Sequence, residues 1–244
     1  MTGWRFHHIG LIVTGKGEAE FLPEFLRALC LGGRCTFTVL RRINQRPPLG
    51  EEKVLKMGRA GKRIPDKDEE EIGLPARRYI RERPDRLVLV VDDVERRRVE
   101  QHAAVFQRYR DALDTLLGDQ RDRAAVHFLR NMLEAYYFAH AEAVNAVRPG
   151  TLDGDHEGDV ELIPHPKNEL GRRWKGFDEV EDGKAIVSLL DLEHVLSRAE
   201  TCGSLRALVD WCTRAIGEDL DQRFSLLDGL RCAVTHGQPV PSWP

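Results

Sequence analysis

The stretch Leu87-Val88-Leu89-Val90-Val91-Asp92-Asp93-Val94-Glu95 decides the fold. Five apolar residues, three of them valine, run directly into three carboxylates within four positions. A continuous apolar run of this length reads as a strand buried on both faces of a sheet. Carboxylates crowded at the end of such a strand repel one another unless a cation lies between them. Ligands of open α/β sheets also bind at the carboxyl ends of strands. The segment therefore predicts a divalent-metal site, and the remaining chain is searched for its other members.

Upstream, Ile9-Gly10-Leu11-Ile12-Val13 reads as a first strand and Thr14-Gly15-Lys16-Gly17 as the turn after it. Phe21, Leu22, Phe25, Leu26 and Leu29 come next at helical spacing, and Gly32-Gly33 closes that helix. Residues 35–40 alternate as a second strand, and residues 44–68, rich in Pro, Gly, Lys and Arg, form a long polar loop. Helices are expected over 69–82, 95–117 and 132–147, with a strand at 125–129. This order predicts an α/β fold: a mostly parallel central sheet flanked by helices, Rossmann-like, with right-handed crossovers. Residues 1–150 form this core. Residues 151–244 read as a loop-rich linker and a helical C-terminal extension, with short helices at 186–190, 205–216 and 224–234.

A chain of 244 residues can bury one large core. Its 37 basic and 40 acidic residues give a net charge of −3, so nucleic acid would have to be held by a local basic patch. Five cysteines without a CxxC pair argue against a zinc ribbon or a disulfide framework and fit a reducing compartment. With no secretory h-region and no run of membrane-spanning length, the expectation is a cytoplasmic protein with no membrane contact.

The first βα turn is neither a Walker A loop nor GxGxxG, because Lys16 is followed by glycine and Glu20 stands at the last glycine position. Its glycines still allow a tight turn whose amides can hold an anion, with Lys16 beside them. Glu18 and Glu20 fall in the first helical turn, where a carboxylate suits the macrodipole. Glu18 is the one directed toward the strand ends. Of Asp92, Asp93 and Glu95, two or more would ligate metal; adjacent strand residues face opposite ways, so the pattern leaves open which. Helix capping is the rival role for the aspartates. Glu134 lies among expected core residues, either paired in a salt bridge or exposed at a site mouth. In His165-Pro166-Lys167-Asn168 the proline is expected to hold His165 extended and to present Lys167 toward a phosphate. Arg41, Arg42, Arg46, Lys53, Lys56, Arg59, Lys62 and Arg63 lack interleaved aromatics, which suggests contact with a polyanion backbone rather than base stacking.

Five motifs in order resemble TOPRIM-like proteins of the DUF4276 type, related to the nuclease half of OLD-family proteins. They are IVTGKGEAEFLPEFL (12–26), LVVDDVERRR (89–98), NMLEAYYFAH (131–140), HPKNEL (165–170) and CGSLRALVDW (202–211). The resemblance implies a TOPRIM fold, acidic residues that bind Mg2+ or Mn2+, and phosphodiester chemistry on DNA or RNA. It also implies an ATPase partner in an antiphage defence system. Two departures stand out. Thr14 occupies the position of the family's opening glutamate, and Asp93 and Glu95, rather than Asp92, have the DxD-like spacing.

The leading expectation is a Mg2+-dependent nuclease in which Glu18, Asp92, Asp93, Glu95 and Glu134 ligate metal. Glu18, Asp92, Asp93, Glu95 and Lys167 would form its catalytic set. Lys16, Arg41, Arg42, Arg46, His165 and Lys167 would contact phosphate or nucleic acid. The alternative is a non-catalytic, TOPRIM-like binding or regulatory subunit of an ATPase complex, and either could self-associate.

Overall fold

The computed structural model describes residues 6–48, 64–131, 133–217 and 237–238. The apolar runs become parallel strands: β1 (His7–Val13), β2 (Cys35–Arg42), β3 (Arg86–Val94) and β4 (Ala124–Arg130), with a two-residue β5 (Gly237–Gln238) beside β4. The sheet order is β2-β1-β3-β4-β5, every pair parallel. The chain thus leaves β1 to one side to form β2, then returns to the other side to form β3. That reversal opens a crevice between the carboxyl ends of β1 and β3, the usual ligand position in such sheets.

Helices cover both faces. α1 (Lys16–Phe25) crosses from β1 to β2 and continues as a 3-10 helix, Leu26–Cys30. α2 (Leu74–Glu82), preceded by a π-helical turn Glu69–Gly73, leads into β3. α3 (His102–Leu117) comes after a 3-10 helix, Arg96–Gln101. α2 and α3 pack on the face formed by Ile12, Val88, Val90, Val126 and Phe128. The other face, with Leu11, Leu89, Val91, Ala125 and Leu129, receives α1 and most of the helices C-terminal to β4. Those helices are α4 (Ala141–Val147), α5 (Pro166–Arg173), α6 (Glu181–Leu189), α7 (Leu192–Val195) and α8 (Gly203–Ala215). Ile186, Leu205 and Leu208 share one apolar core with the sheet, so the segment after residue 150 supplies cover that the sheet needs.

Two local expectations are corrected. The helix expected over 132–147 is a 3-10 helix, Leu133–Ala139, that breaks at His140 before α4. All seven residues of the 3-10 stretch are buried, and packing on every side overrides helix propensity. His165 is not extended: it sits at φ 52°, ψ 64°, a left-handed position that starts α5 with Pro166 in its first turn. The segment 202–211 begins α8, whose first amides are already capped. Buried Glu161 accepts from Ser204 N–H at 3.0 Å, Leu205 N–H at 3.2 Å and the Tyr136 hydroxyl at 2.9 Å. The helix expected at 224–234 lies outside the described residues, as does most of the basic loop, including Lys53, Lys56, Arg59, Lys62 and Arg63.

Candidate functional site

Strand alternation separates the two aspartates of β3. Asp92 turns toward α3. It accepts hydrogen bonds from the Thr14 hydroxyl at 2.7 Å, the Tyr109 hydroxyl at 2.9 Å and Arg98 Nη2 at 3.0 Å. It is fully buried and ion-paired to Arg98. The same guanidinium donates to the Asp93 carbonyl at 2.8 Å and the Arg46 carbonyl at 3.0 Å, fastening the end of β3 to the segment after β2. Asp92 therefore has its charge compensated internally. Thr14, at the position of the resembled glutamate, is one of its donors.

Asp93 turns the other way, into a cavity of about 80 Å³ at the carboxyl ends of β1 and β3. Glu18 from the first turn of α1, Glu134 from the 3-10 helix and Glu179 before α6 line the same cavity. Phe21, Leu133 and Tyr137 form apolar walls, and exposed Lys16 stands at its rim. Glu18, Asp93 and Glu134 are only 4%, 7% and 6% exposed. A space of this size accommodates one ion with about two waters.

Burial raises the Glu18 pKa from 4.5 to about 8, with repulsion from Asp93 and, less, from Glu134 and Asp92; its own backbone N–H opposes the rise. Asp93 is raised to about 6 by burial and by Asp92, against a hydrogen bond from Gln45 and the charge of Arg98. Burial raises Glu134 too, with Glu179 and Asp93 adding and its own backbone N–H and Lys167 opposing. The cavity therefore cannot hold all of its carboxylates ionised without a positive counterpart.

The Glu18 carboxylate lies over Gly15. A Cβ at that position would stand 1.6 Å from Glu18 Oε2. Lys167 is half-buried and pairs with Glu179, which lines the cavity, and its charge acts on Glu134. Sequence patterning gives no sign of Glu179. It sits in a polar stretch with no strand or helix pattern, 45 residues after Glu134, and the Lys167 pairing is its only pointer.

The other expected residues lie apart. Glu95 is exposed beyond β3 and does not line the cavity; its carbonyl accepts from Arg98 N–H at 2.8 Å. His165 is exposed at the start of α5, also outside the cavity lining. Arg41 and Arg42 are exposed at the carboxyl end of β2, in register with Ile12 and Val13 of β1, and so at the edge of the sheet that carries the cavity. Arg46 is a buried structural residue. It donates to Asp68 at 2.7 Å and to the Asn44 carbonyl at 2.9 Å and also pairs with Glu71, leaving it no room for phosphate.

The donor set is made of hard carboxylate oxygens, which fits Mg2+ or Mn2+ and not a thiophilic ion. Among the described residues no three Asp, Glu, His or Cys side chains stand close enough to hold one ion as placed. Coordination would require Glu18, Asp93 and Glu134 to turn inward within the cavity they share. No helix among the described residues is long and apolar enough to cross a membrane. No protein-family model, no curated protein and no solved structure matches the chain.

Proposed function

We propose that the chain is a divalent-cation-dependent phosphodiester hydrolase acting on DNA or RNA. Glu18, Asp93 and Glu134 would hold Mg2+ or Mn2+. The observation that carries this reading is the meeting of those three buried carboxylates in one small cavity at the crevice between β1 and β3. The cation would supply Lewis acidity to the scissile phosphate and to an attacking water.

The chain's own residues would do the rest. Lys16, with the amides that open α1, would bind a phosphate at the rim. Lys167 would exchange Glu179 for a phosphate oxygen as substrate enters. Glu18, which keeps its proton well above the usual carboxylate range, would take up or release a proton as the cation leaves or arrives. Phe21, Leu133 and Tyr137 would keep bulk water away from the acids. Arg41 and Arg42 would extend contact along the nucleic-acid backbone on the same edge of the sheet.

A second reading keeps the cation and drops the hydrolysis, making the chain the regulatory subunit of an ATPase complex. Thr14 favours it, because the position offers a hydroxyl already spent on Asp92 where the resembled family has a carboxylate. The resemblance likewise supports an antiphage role beside an ATPase, and co-purification with the products of adjacent genes tests that partner.

Incubating the purified chain with supercoiled plasmid or tRNA and Mg2+ or Mn2+ separates the readings. The nuclease reading expects cleavage, reduced at least about a hundredfold by Asp93→Ala, the scale of losing a group that stabilises developing charge. Cation binding without cleavage, alone and with an ATPase partner, would establish the regulatory reading instead.

A further inference from the structure

At the opposite end of the sheet from the acidic cavity lies a pair of thiols. The 3-10 helix after α1 ends at Cys30, an exposed turn comes next, and β2 begins at Cys35. The two Sγ atoms are 3.9 Å apart. A disulfide bond measures about 2.05 Å, so the sulfurs need to close by about 2 Å. The intervening turn can absorb that movement. Leu31 is 74% exposed, Gly32 is exposed, and Gly33 holds φ +67° with its N–H on the Cys30 carbonyl at 2.9 Å. No buried side chain belongs to the turn itself, so the backbone movement is taken up outside the core, and only the two cysteine side chains shift at its edge.

The two thiols differ in a useful way. Cys35 is buried, and its Sγ donates to the Leu29 carbonyl at 3.3 Å. Cys30 is half-buried and within reach of solvent. The Cys35 S–H, which can turn from the Leu29 carbonyl to Cys30 Sγ, holds the Cys30 thiol below its usual pKa, against the effect of burial. Cys202 and Cys212, by contrast, are both completely buried, and burial pushes each thiol well above its usual pKa. They provide inert comparators within the same chain.

We propose that Cys30 and Cys35 are a redox-active dithiol, a modification site at which a peroxide converts the pair reversibly into an intramolecular disulfide. Cys30 thiolate attacks one oxygen of hydrogen peroxide and the O–O bond breaks. Cys30 becomes a sulfenic acid, and the departing hydroxide takes a solvent proton and leaves as water. Cys35 Sγ then attacks Cys30 Sγ. The S–S bond forms, and the expelled hydroxide leaves as water with the Cys35 thiol proton. The two sulfurs together lose two electrons and the peroxide gains two. A small-molecule dithiol reverses the step by exchange.

Tryptic mapping of the full chain tests this directly, because Arg27, Arg34 and Arg41 place the two cysteines on separate peptides, 28–34 and 35–41. After hydrogen peroxide and alkylation of the remaining thiols, the expected product is one linked species made of those two peptides. Dithiothreitol should return both as alkylated singles. In Cys35→Ser, which removes the resolving thiol, Cys30 should accumulate as a sulfenic acid that dimedone captures, while Cys202 and Cys212 stay unlabelled. Unlinked, still alkylatable peptides would overturn the proposal. So would a bond from Cys30 to Cys202 or Cys212, or irreversible oxidation of Cys30 in the wild-type chain.

Discussion

Asp92 and Asp93 are adjacent, chemically identical and both buried, yet their surroundings are opposite. On the α3 side, Asp92 has two hydroxyl donors and a guanidinium. On the α1 side, Asp93 shares a cavity with Glu18, Glu134 and Glu179; Gln45 donates to it, but among the described residues no guanidinium or ammonium pairs with its carboxylate. Burial by itself therefore does not distinguish a structural carboxylate from a reactive one. The distinction is whether its charge is answered by the protein or left for something that binds.

The strongest way to break this contrast is Asp92→Ala. It would leave the Arg98 guanidinium without its buried counter-charge and the Tyr109 hydroxyl without an acceptor. The expected loss is about 3–5 kcal/mol, read from the urea midpoint at constant slope. An unchanged midpoint would mean that Asp92 is no anchor, and the two aspartates would lose their separate roles.

A pH profile in the absence of divalent cation probes the other side. Folding raises the Glu18 pKa from 4.5 to about 8, so between those values the folded chain holds a proton that the unfolded chain releases. Stability should therefore be highest below about pH 4.5 for this group and fall as pH rises toward 8, by on the order of a few kcal/mol. Glu18→Gln should flatten the profile. Mg2+ should restore stability at pH 8 and have little effect at pH 5, where protons already occupy the cavity. A wild-type chain whose midpoint rises from pH 5 to pH 8 without cation would contradict the acidic-cavity assignment.

The arginines give the smaller contrast. Arg46→Ala should cost about 2–3 kcal/mol, less than a typical broken buried pair because Arg108 remains on Asp68 at 2.7 Å. It should leave the salt dependence of nucleic-acid binding unchanged. Arg41→Ala should do the reverse: stability within about 0.5 kcal/mol of wild type, and a salt-dependence slope shallower by about one.

Four strands of the sheet were legible in the sequence, β1, β3 and β4 as apolar runs and β2 as an alternating stretch, signals that need no knowledge of neighbours; Gly237–Gln238 (β5) carries neither. The reach of β3 to Val94 was harder to see, since the carboxylates read as the strand's end although Asp92 and Asp93 still pair with Phe128 and Leu129 of β4. Glu18, Asp93 and Glu134 stood out because each lies at or just after a strand's end on the same edge of the sheet. The division of roles between Asp92 and Asp93 did not, because it depends on which face carries Arg98 and Tyr109. Arg46 looked like part of a solvated basic patch because its acids, Asp68 and Glu71, lie more than 20 residues away in sequence. Glu179 had no local pattern at all; only the folding of its segment back against Lys167 brings it to the cavity.

The close approach of Gly15 to Glu18 sets a limit on what this turn can tolerate. The hydrogen atom on Gly15 reserves the volume that the carboxylate occupies, and even a methyl group there would take it. Gly15→Ala would thus evict Glu18 from its place while leaving every charge in the protein intact. It separates the position of the carboxylate from its presence, a distinction that removing the glutamate itself cannot make.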